Sequence, residues 1–141
     1  MSDARDELTV TVGQELPPLI KAFTAVDLMV YGAATWDWYR MHYDEVAAKT
    51  SDFRGVFVDG QQWGAIFARQ AVDHLGPCSF VTKMSLKYKA MAFAGDTVSV
   101  KGTIAEIKQE SRRTTIVITH EARRGDTVLA SGRTDVLASR K

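Results

Sequence analysis

Residues 61–75 read QQWGAIFARQAVDHL, and Gly76-Pro77 follows at once. Trp63, Ile66, Phe67, Gln70, Ala71 and Leu75 recur at helical spacing, while Gly64 and Ala68 leave room for a close neighbour. The main charges, Arg69 and Asp73, stand four apart on one side. This pattern predicts a helix that is largely buried, and Gly76-Pro77 predicts a clean end to it. A helix with so little polar surface must be enclosed by something.

The enclosure is written downstream. Phe80, Thr82, Met84, Leu86 and Tyr88 alternate with Val81, Lys83, Ser85, Lys87 and Lys89, which is the period of a strand. Gly95-Asp96 is a turn. Val98, Val100, Gly102 and Ile104 then alternate with Thr97, Ser99, Lys101 and Thr103. Lys108–Ser111 is a polar turn, and residues 114–121 form a β-branched third strand. Arg124-Gly125-Asp126 is a hairpin turn before a last strand over residues 127–137. An antiparallel meander with one apolar face must cover that face, and the helix over residues 61–75 is the element long enough to do so. The expected class is α+β, with the sheet wrapped round the helix in the hot-dog arrangement. The edge strand such a sheet leaves exposed predicts a dimer.

Upstream, residues 1–7 are polar and expected to be flexible, and residues 8–12 are a short β-prone run ahead of Gly13 and Pro17-Pro18. Thr24 and Asp27 fit a capping box that opens a helix. Its inner face is expected at Leu28, Tyr31 and Thr35, widened by Val30 and Ala34. The whole chain, residues 1–141, has the length of a single domain. A formal net charge of +1, with 45% hydrophobic and 25% charged residues, supplies no global field to recruit nucleic acid or an acidic membrane. No apolar run is long enough to span a bilayer, and the first residues lack a signal-peptide core, so a cytoplasmic location is expected. A lone Cys78 excludes an internal disulfide and a thiolate cluster, and it is expected to be packed rather than reactive.

Between the two helices lies DWYRMHYDEVAAKTSDFRGVFVDG, residues 37–60. It reads as a helix end, a turn, a short helix around residues 44–49 capped by Asp44, and a loop. Long loops in compact domains are usually functional or disordered, and the aromatic content here (Trp38, Tyr39, Tyr43, Phe53, Phe57) argues against disorder. Asp37 and His42 are an acid and a base five residues apart. In a straight helix such positions diverge by about 140°, so the pair converges only if the backbone turns between them.

These residues resemble the MaoC-like (R)-specific enoyl-CoA hydratases. That family carries Asp-x-Asn-Pro-(Ile/Leu)-His-x-Asp and, further along, a His-Gly step that opens the hot-dog helix. Asp37, Met41, His42 and Asp44 match the first motif in spacing. Tyr39 and Arg40 stand where the family has Asn and Pro, and Asp59 stands where it has His, with Gly60 retained. The strand 86–88 and the Gly95-Asp96-Thr97-Val98 turn also match, and the likeness covers the chain from Val12 onward. Small single-hot-dog subunits of steroid side-chain degradation, which pair with a second MaoC-like chain, are similar in lacking the Asn-Pro pair.

The resemblance implies hydration of a trans-2-enoyl-CoA to a 3-hydroxyacyl-CoA, or the reverse dehydration, with no cofactor. Asp37 and His42 would be the catalytic pair, sharing one water and dividing base and acid work. The amide of Gly60, at the positive end of the buried helix, would receive the thioester oxyanion, with Asp59 and Tyr39 binding substrate. The partner would be an acyl-CoA or acyl carrier protein thioester, and the assembly a homodimer or a heteromer with a second MaoC-like chain. Two other readings stay open. One is a non-catalytic acyl-binding or structural half of a heteromer, favoured by Tyr39 and Arg40. The other is a hot-dog thioesterase using Asp59 or Asp73. With no H-x-x-x-H or Cys/His cluster, a metal is not expected. His74, at a helix carboxyl end, reads as structural, and His120 as a strand end without a partner. Arg112-Arg113 and Arg123-Arg124 read as solvated turns or as contacts to the phosphates of coenzyme A.

Overall fold

The chain was analysed as a computed structural model, which describes residues 9–111 and 113–138. In chain order the elements are β1 (Leu19–Ala22), α1 (Ala25–Thr35), a 3-10 turn (Arg40–His42), α2 (Glu45–Thr50), α3 (Gly60–Leu75), β2 (Ser79–Tyr88), β3 (Thr97–Gln109), β4 (Thr114–Arg124) and β5 (Thr127–Ala138). The five strands make one antiparallel sheet in the order β1-β3-β4-β5-β2, and α3 packs across its inner face. This is the expected α+β, hot-dog arrangement.

Two apolar clusters lie along α3. Trp63 and Phe67 sit with Phe23, Leu28, Val98, Val100 and Leu129 toward its start. Ala71 and Leu75 sit with Leu16, Ile104, Ile116, Ile118 and Val136 toward its end. Helix and sheet approach closely because glycine lines the contact. A Cβ on Gly132 would lie 2.9 Å from the Phe67 ring, and one on Gly102 would lie 2.8 Å from the Gln70 side-chain oxygen. These two glycines flank His120 in register, one on each neighbouring strand.

The trough they leave holds a buried polar chain. The Gln70 amide nitrogen donates to Pro17 O at 3.1 Å and to Val100 O at 3.0 Å. Both of its N–H groups are thereby spent, so its oxygen accepts from His120 Nδ1 at 3.0 Å. His120 Nε2 then carries the lone pair and accepts from the Thr134 hydroxyl at 2.9 Å. The imidazole stacks on Phe67 with the rings 9° from parallel. Burial pushes its pKa down to about 4. His120 is therefore an interior strand residue with two partners, where the sequence reading expected an unpartnered strand end.

Other expectations are corrected. Residues 9–12 form no strand, and Leu8 lies outside the described residues. Gly13, with φ 87°, turns the chain. Residues 13–16 then occupy the free side of β3 through Gly13 N to Ile104 O and Leu16 N to Gly102 O, both 2.8 Å. The first strand comes after Pro17-Pro18, as an edge strand pairing with β3 alone. In α1 the Thr24–Asp27 capping box is present, but only Leu28 and Gly32 are buried. Val30, Ala34 and Thr35 are exposed, because α3 rather than α1 occupies the inner face of the sheet. The period of β2 is broken by a bulge between Val81 and Lys83, which leaves Phe80 69% exposed while Met84 and Leu86 turn inward. Cys78, in the turn between α3 and β2, is exposed rather than packed.

Candidate active site

The loop between α1 and α3 holds its shape by local chemistry. Trp36 ends α1 with φ 59°, and the amides of Trp36 and Asp37 both bond to Gly32 O. The chain doubles back so tightly that a Cβ on Gly32 would stand 2.7 Å from the Asp37 carbonyl oxygen. Asp37 Oδ1 then accepts from the Tyr39 amide at 3.1 Å, closing a side-chain-capped turn. Arg40 donates to Asp44 at 2.6 Å, and Asp44 caps α2 by accepting from Ala47 N at 2.9 Å. The 3-10 turn between them carries His42 back beneath Asp37.

The His42 ring is 8% exposed. It lies edge-on to Tyr39 and to Phe57, with centroids 5.4 and 5.0 Å away. His42 Nδ1 lies 2.8 Å from Phe57 O, a carbonyl that can only accept, so Nδ1 carries the proton and Nε2 is left free. Phe57 N in turn donates to Met41 O at 3.2 Å, which fastens the loop to the 3-10 turn. Two residues on, Asp59 caps α3, with Oδ1 accepting from Gln61 N at 2.8 Å. Asp59 is 8% exposed, and its Oδ2 is buried without a hydrogen-bond partner. Gln62, in the first turn of α3, likewise has a buried Oε1 without one.

Asp37, His42 and Asp59 converge: one side-chain nitrogen or oxygen from each lies within 4.8 Å of the others. Tyr31 of α1 faces the same group. Burial, and then the charges of Asp59 and Asp37, push its phenol above the usual range. Tyr88, at the end of β2, covers the start of α3, where a Cβ on Gly60 would sit 3.0 Å from its ring. Gly60 is the first residue of α3, so its amide has no acceptor within the helix. The structure thus gathers an imidazole, two carboxylates and a helix amino terminus, with tyrosines at the margin.

The family profile for the MaoC like domain matches residues 2–125. The chain belongs to the MaoC-like dehydratase family. Over 94% of its length, this MaoC-like domain superposes on all of a chain in the ChsH1-ChsH2 complex from Mycobacterium tuberculosis, with a TM-score of 0.85 and 20% identity. It also resembles the (R)-hydratase from A. caviae involved in PHA biosynthesis, at TM-score 0.79 and 24% identity, covering 91% of this chain and 96% of that one. A curated relative, the mitochondrial 3-hydroxyacyl-[acyl-carrier-protein] dehydratase of Arabidopsis thaliana, is 24% identical over 78 residues. That match takes in 55% of the MaoC-like domain and 46% of the relative, so the domain spans about half the relative's length.

The structure brings Asp37, His42 and Asp59 together, with Gly60 next in the chain as the first residue of α3. Tyr39 stands beside them, half exposed, its ring against His42 and its amide on Asp37. Asp73 does not join them. It is exposed on α3 and paired with Arg69 at 3.2 Å. Arg123 pairs with Glu121, and Arg124 pairs with Asp96, which Arg54 also holds at 2.8 Å. Arg112 lies outside the described residues. The sequence reading missed Tyr31, Tyr88 and the Phe57 carbonyl. Tyr31 was legible as an inner-face residue of α1, whereas a backbone carbonyl leaves no trace in a sequence. Among the described residues no helix is long and apolar enough to cross a membrane.

Proposed function

We propose that this domain adds water to the double bond of a trans-2-enoyl thioester, and removes it again in the reverse direction, with Asp37 and His42 as the catalytic pair. The observation that carries the reading is the convergence of the two side chains beside the amino end of α3. His42 donates its Nδ1–H to Phe57 O, which leaves Nε2 to act as the base. In hydration Nε2 takes one proton from water, the oxygen bonds to C3, and the π electrons move through C2 to the thioester oxygen. The Gly60 amide and the helix dipole meet that growing charge. The proton count closes when C2 receives the proton that water lost. Asp37 and His42 hold it in the interval, with the second Asp37 oxygen positioning the water.

The substrate is proposed to be carried on coenzyme A or on an acyl carrier protein, the second being the carrier in the curated relative's name. The working unit is proposed to be a homodimer or a pair with a second MaoC-like chain. The exposed edge strand β2 and the two-chain ChsH1-ChsH2 relative support that assembly.

The test is turnover of crotonyl-CoA and of a longer or bulkier enoyl-CoA, followed at the enoyl thioester absorbance. Asp37→Asn and His42→Ala, each checked for folding, should lose about 10²–10⁴-fold. Variants that keep the wild-type rate would remove the pair from the mechanism. A folded wild type that binds acyl-CoA but turns over no substrate alone would favour the partner-dependent half of a heteromer.

A further inference from the structure

We infer that Asp37, His42 and Asp59 form a binding site for one first-row divalent cation, Zn²⁺ above all, and that the cation closes the site to catalysis. The binding half stands on geometry alone. The inhibitory half rests on the hydratase reading above.

Three separate observations point to the cation. The first is convergence, with one donor atom from each residue within 4.8 Å of the others. The second is the state of those donors. His42 has committed Nδ1 to the Phe57 carbonyl, and a second ring nitrogen anchored in this way is the usual condition of a metal-ligating histidine. Asp37 and Asp59 have each committed one oxygen to a backbone amide, which leaves one oxygen apiece. The free oxygen of Asp59 is buried and has no partner, a condition that costs free energy unless something fills it. The third is charge. Neither carboxylate takes part in an ion pair among the described residues, and Asp59 stands at the start of α3, where the helix supplies a partial positive charge.

One imidazole and two carboxylates are donors that zinc accepts at about 2.0–2.2 Å, leaving a fourth position open. Magnesium and calcium favour oxygen ligands and gain little from an imidazole, so they would hold here through two carboxylates and water alone. Closing the ligands onto a zinc ion asks them to move together by roughly 1 Å. Asp37 is the one member of the three that is partly exposed, so the movement falls to its side chain. A cation seated there takes the Nε2 lone pair that water must use. It also neutralises the carboxylate that shares the proton.

The experiment is calorimetric titration of the full chain with zinc chloride and, separately, with magnesium chloride. A Cys78→Ser background removes the exposed thiol as a rival ligand. The expected result is one Zn²⁺ per chain and no magnesium binding in the same range. Affinity should fall at least tenfold in both Asp59→Asn and His42→Asn. Asparagine still caps a helix, so α3 stays formed in the first variant, and circular dichroism checks the second. No zinc binding, or binding unchanged in both variants, overturns the site. Turnover measured in parallel separates the two readings. Zinc that binds through these residues to a chain inert toward every enoyl thioester upholds the cation site and removes the hydratase. A chain that hydrates enoyl-CoA and is neither bound nor slowed by zinc does the reverse. When both hold, activity lost to zinc returns on adding a chelator.

Discussion

Lowering the pH from 6.5 to 5 should destabilise this protein through a single side chain, His120. The ring is 3% exposed, and its hydrogen-bond pattern fixes the neutral tautomer. Its folded pKa is about 4, against an ordinary value of 6.5. In the unfolded chain the ring is protonated below pH 6.5, while in the folded chain it stays neutral down to about pH 4. Between those values the unfolded state binds the extra proton, so stability falls as pH falls. A whole proton costs about 1.4 kcal/mol per pH unit, which gives about 2 kcal/mol between pH 6.5 and 5. The full window down to the folded pKa gives about 3 kcal/mol. The upper part of the window isolates the histidine, because the depressed carboxylates act lower. Asp27, Asp44, Glu45 and Asp96 are all held below their ordinary values, and their contribution is lost only as pH falls further.

The assay is urea unfolding at half-unit steps of pH for wild type and His120→Gln. Glutamine removes the titrating group, and by disturbing the Gln70 and Thr134 contacts it should lower stability at pH 7 by about 1–3 kcal/mol. Its curve between pH 6.5 and 5 should be flatter than that of wild type by about 1.4 kcal/mol per unit. Parallel curves would refute the reasoning. So would an NMR titration of the folded protein in which this ring changes charge near pH 6.5.

Two further perturbations probe the frame round the site. Gly32→Ala puts a methyl group 2.7 Å from the Asp37 carbonyl, so it should cost about 1–3 kcal/mol and lower kcat by displacing Asp37. Thermal melts and turnover on the same sample check both effects. Asp96→Asn weakens the joint with Arg54, Arg124 and the Phe93 amide. Its carboxyl is pushed up by burial but held below the ordinary range by those three partners. Unfolding at pH 7 should show a loss of about 1–3 kcal/mol that shrinks as pH falls through the range where the wild-type carboxyl takes its proton.

The fold was legible wherever period and burial agree. The helix over residues 61–75 could only be enclosed, and the inward residues Val98, Val100, Gly102 and Ile104 of β3 follow strict alternation. Legibility failed where one residue changes the phase. The bulge after Val81 is a backbone event with no side-chain signature, so Phe80 was placed on the wrong face. The N-terminal run failed for a different reason. Alternation over residues 8–12 describes a side-chain pattern, but the free side of β3 is taken by residues 13–16. His120 was misread because its partners, Gln70 and Thr134, lie 50 and 14 residues away.

The departure at Tyr39 and Arg40 raised the question of what turns the chain between Asp37 and His42, and the answer sharpens the test of the pair. Asp37 turns the chain itself, with one oxygen on the Tyr39 amide and the other left for chemistry. A family proline sets a turn through its ring, but here the turn and the acid are one side chain. Two substitutions separate these roles. In Asp37→Asn the amide oxygen still accepts from Tyr39, so His42 should keep its place and the melting temperature should hold while turnover collapses. In Asp37→Ala both are lost. The turn should loosen at a cost of about 0.5–1.5 kcal/mol, and the Tyr39 amide should exchange its hydrogen faster with solvent. If alanine and asparagine match in stability and in exchange at Tyr39, the turn is held by packing, and Asp37 is free to serve chemistry alone.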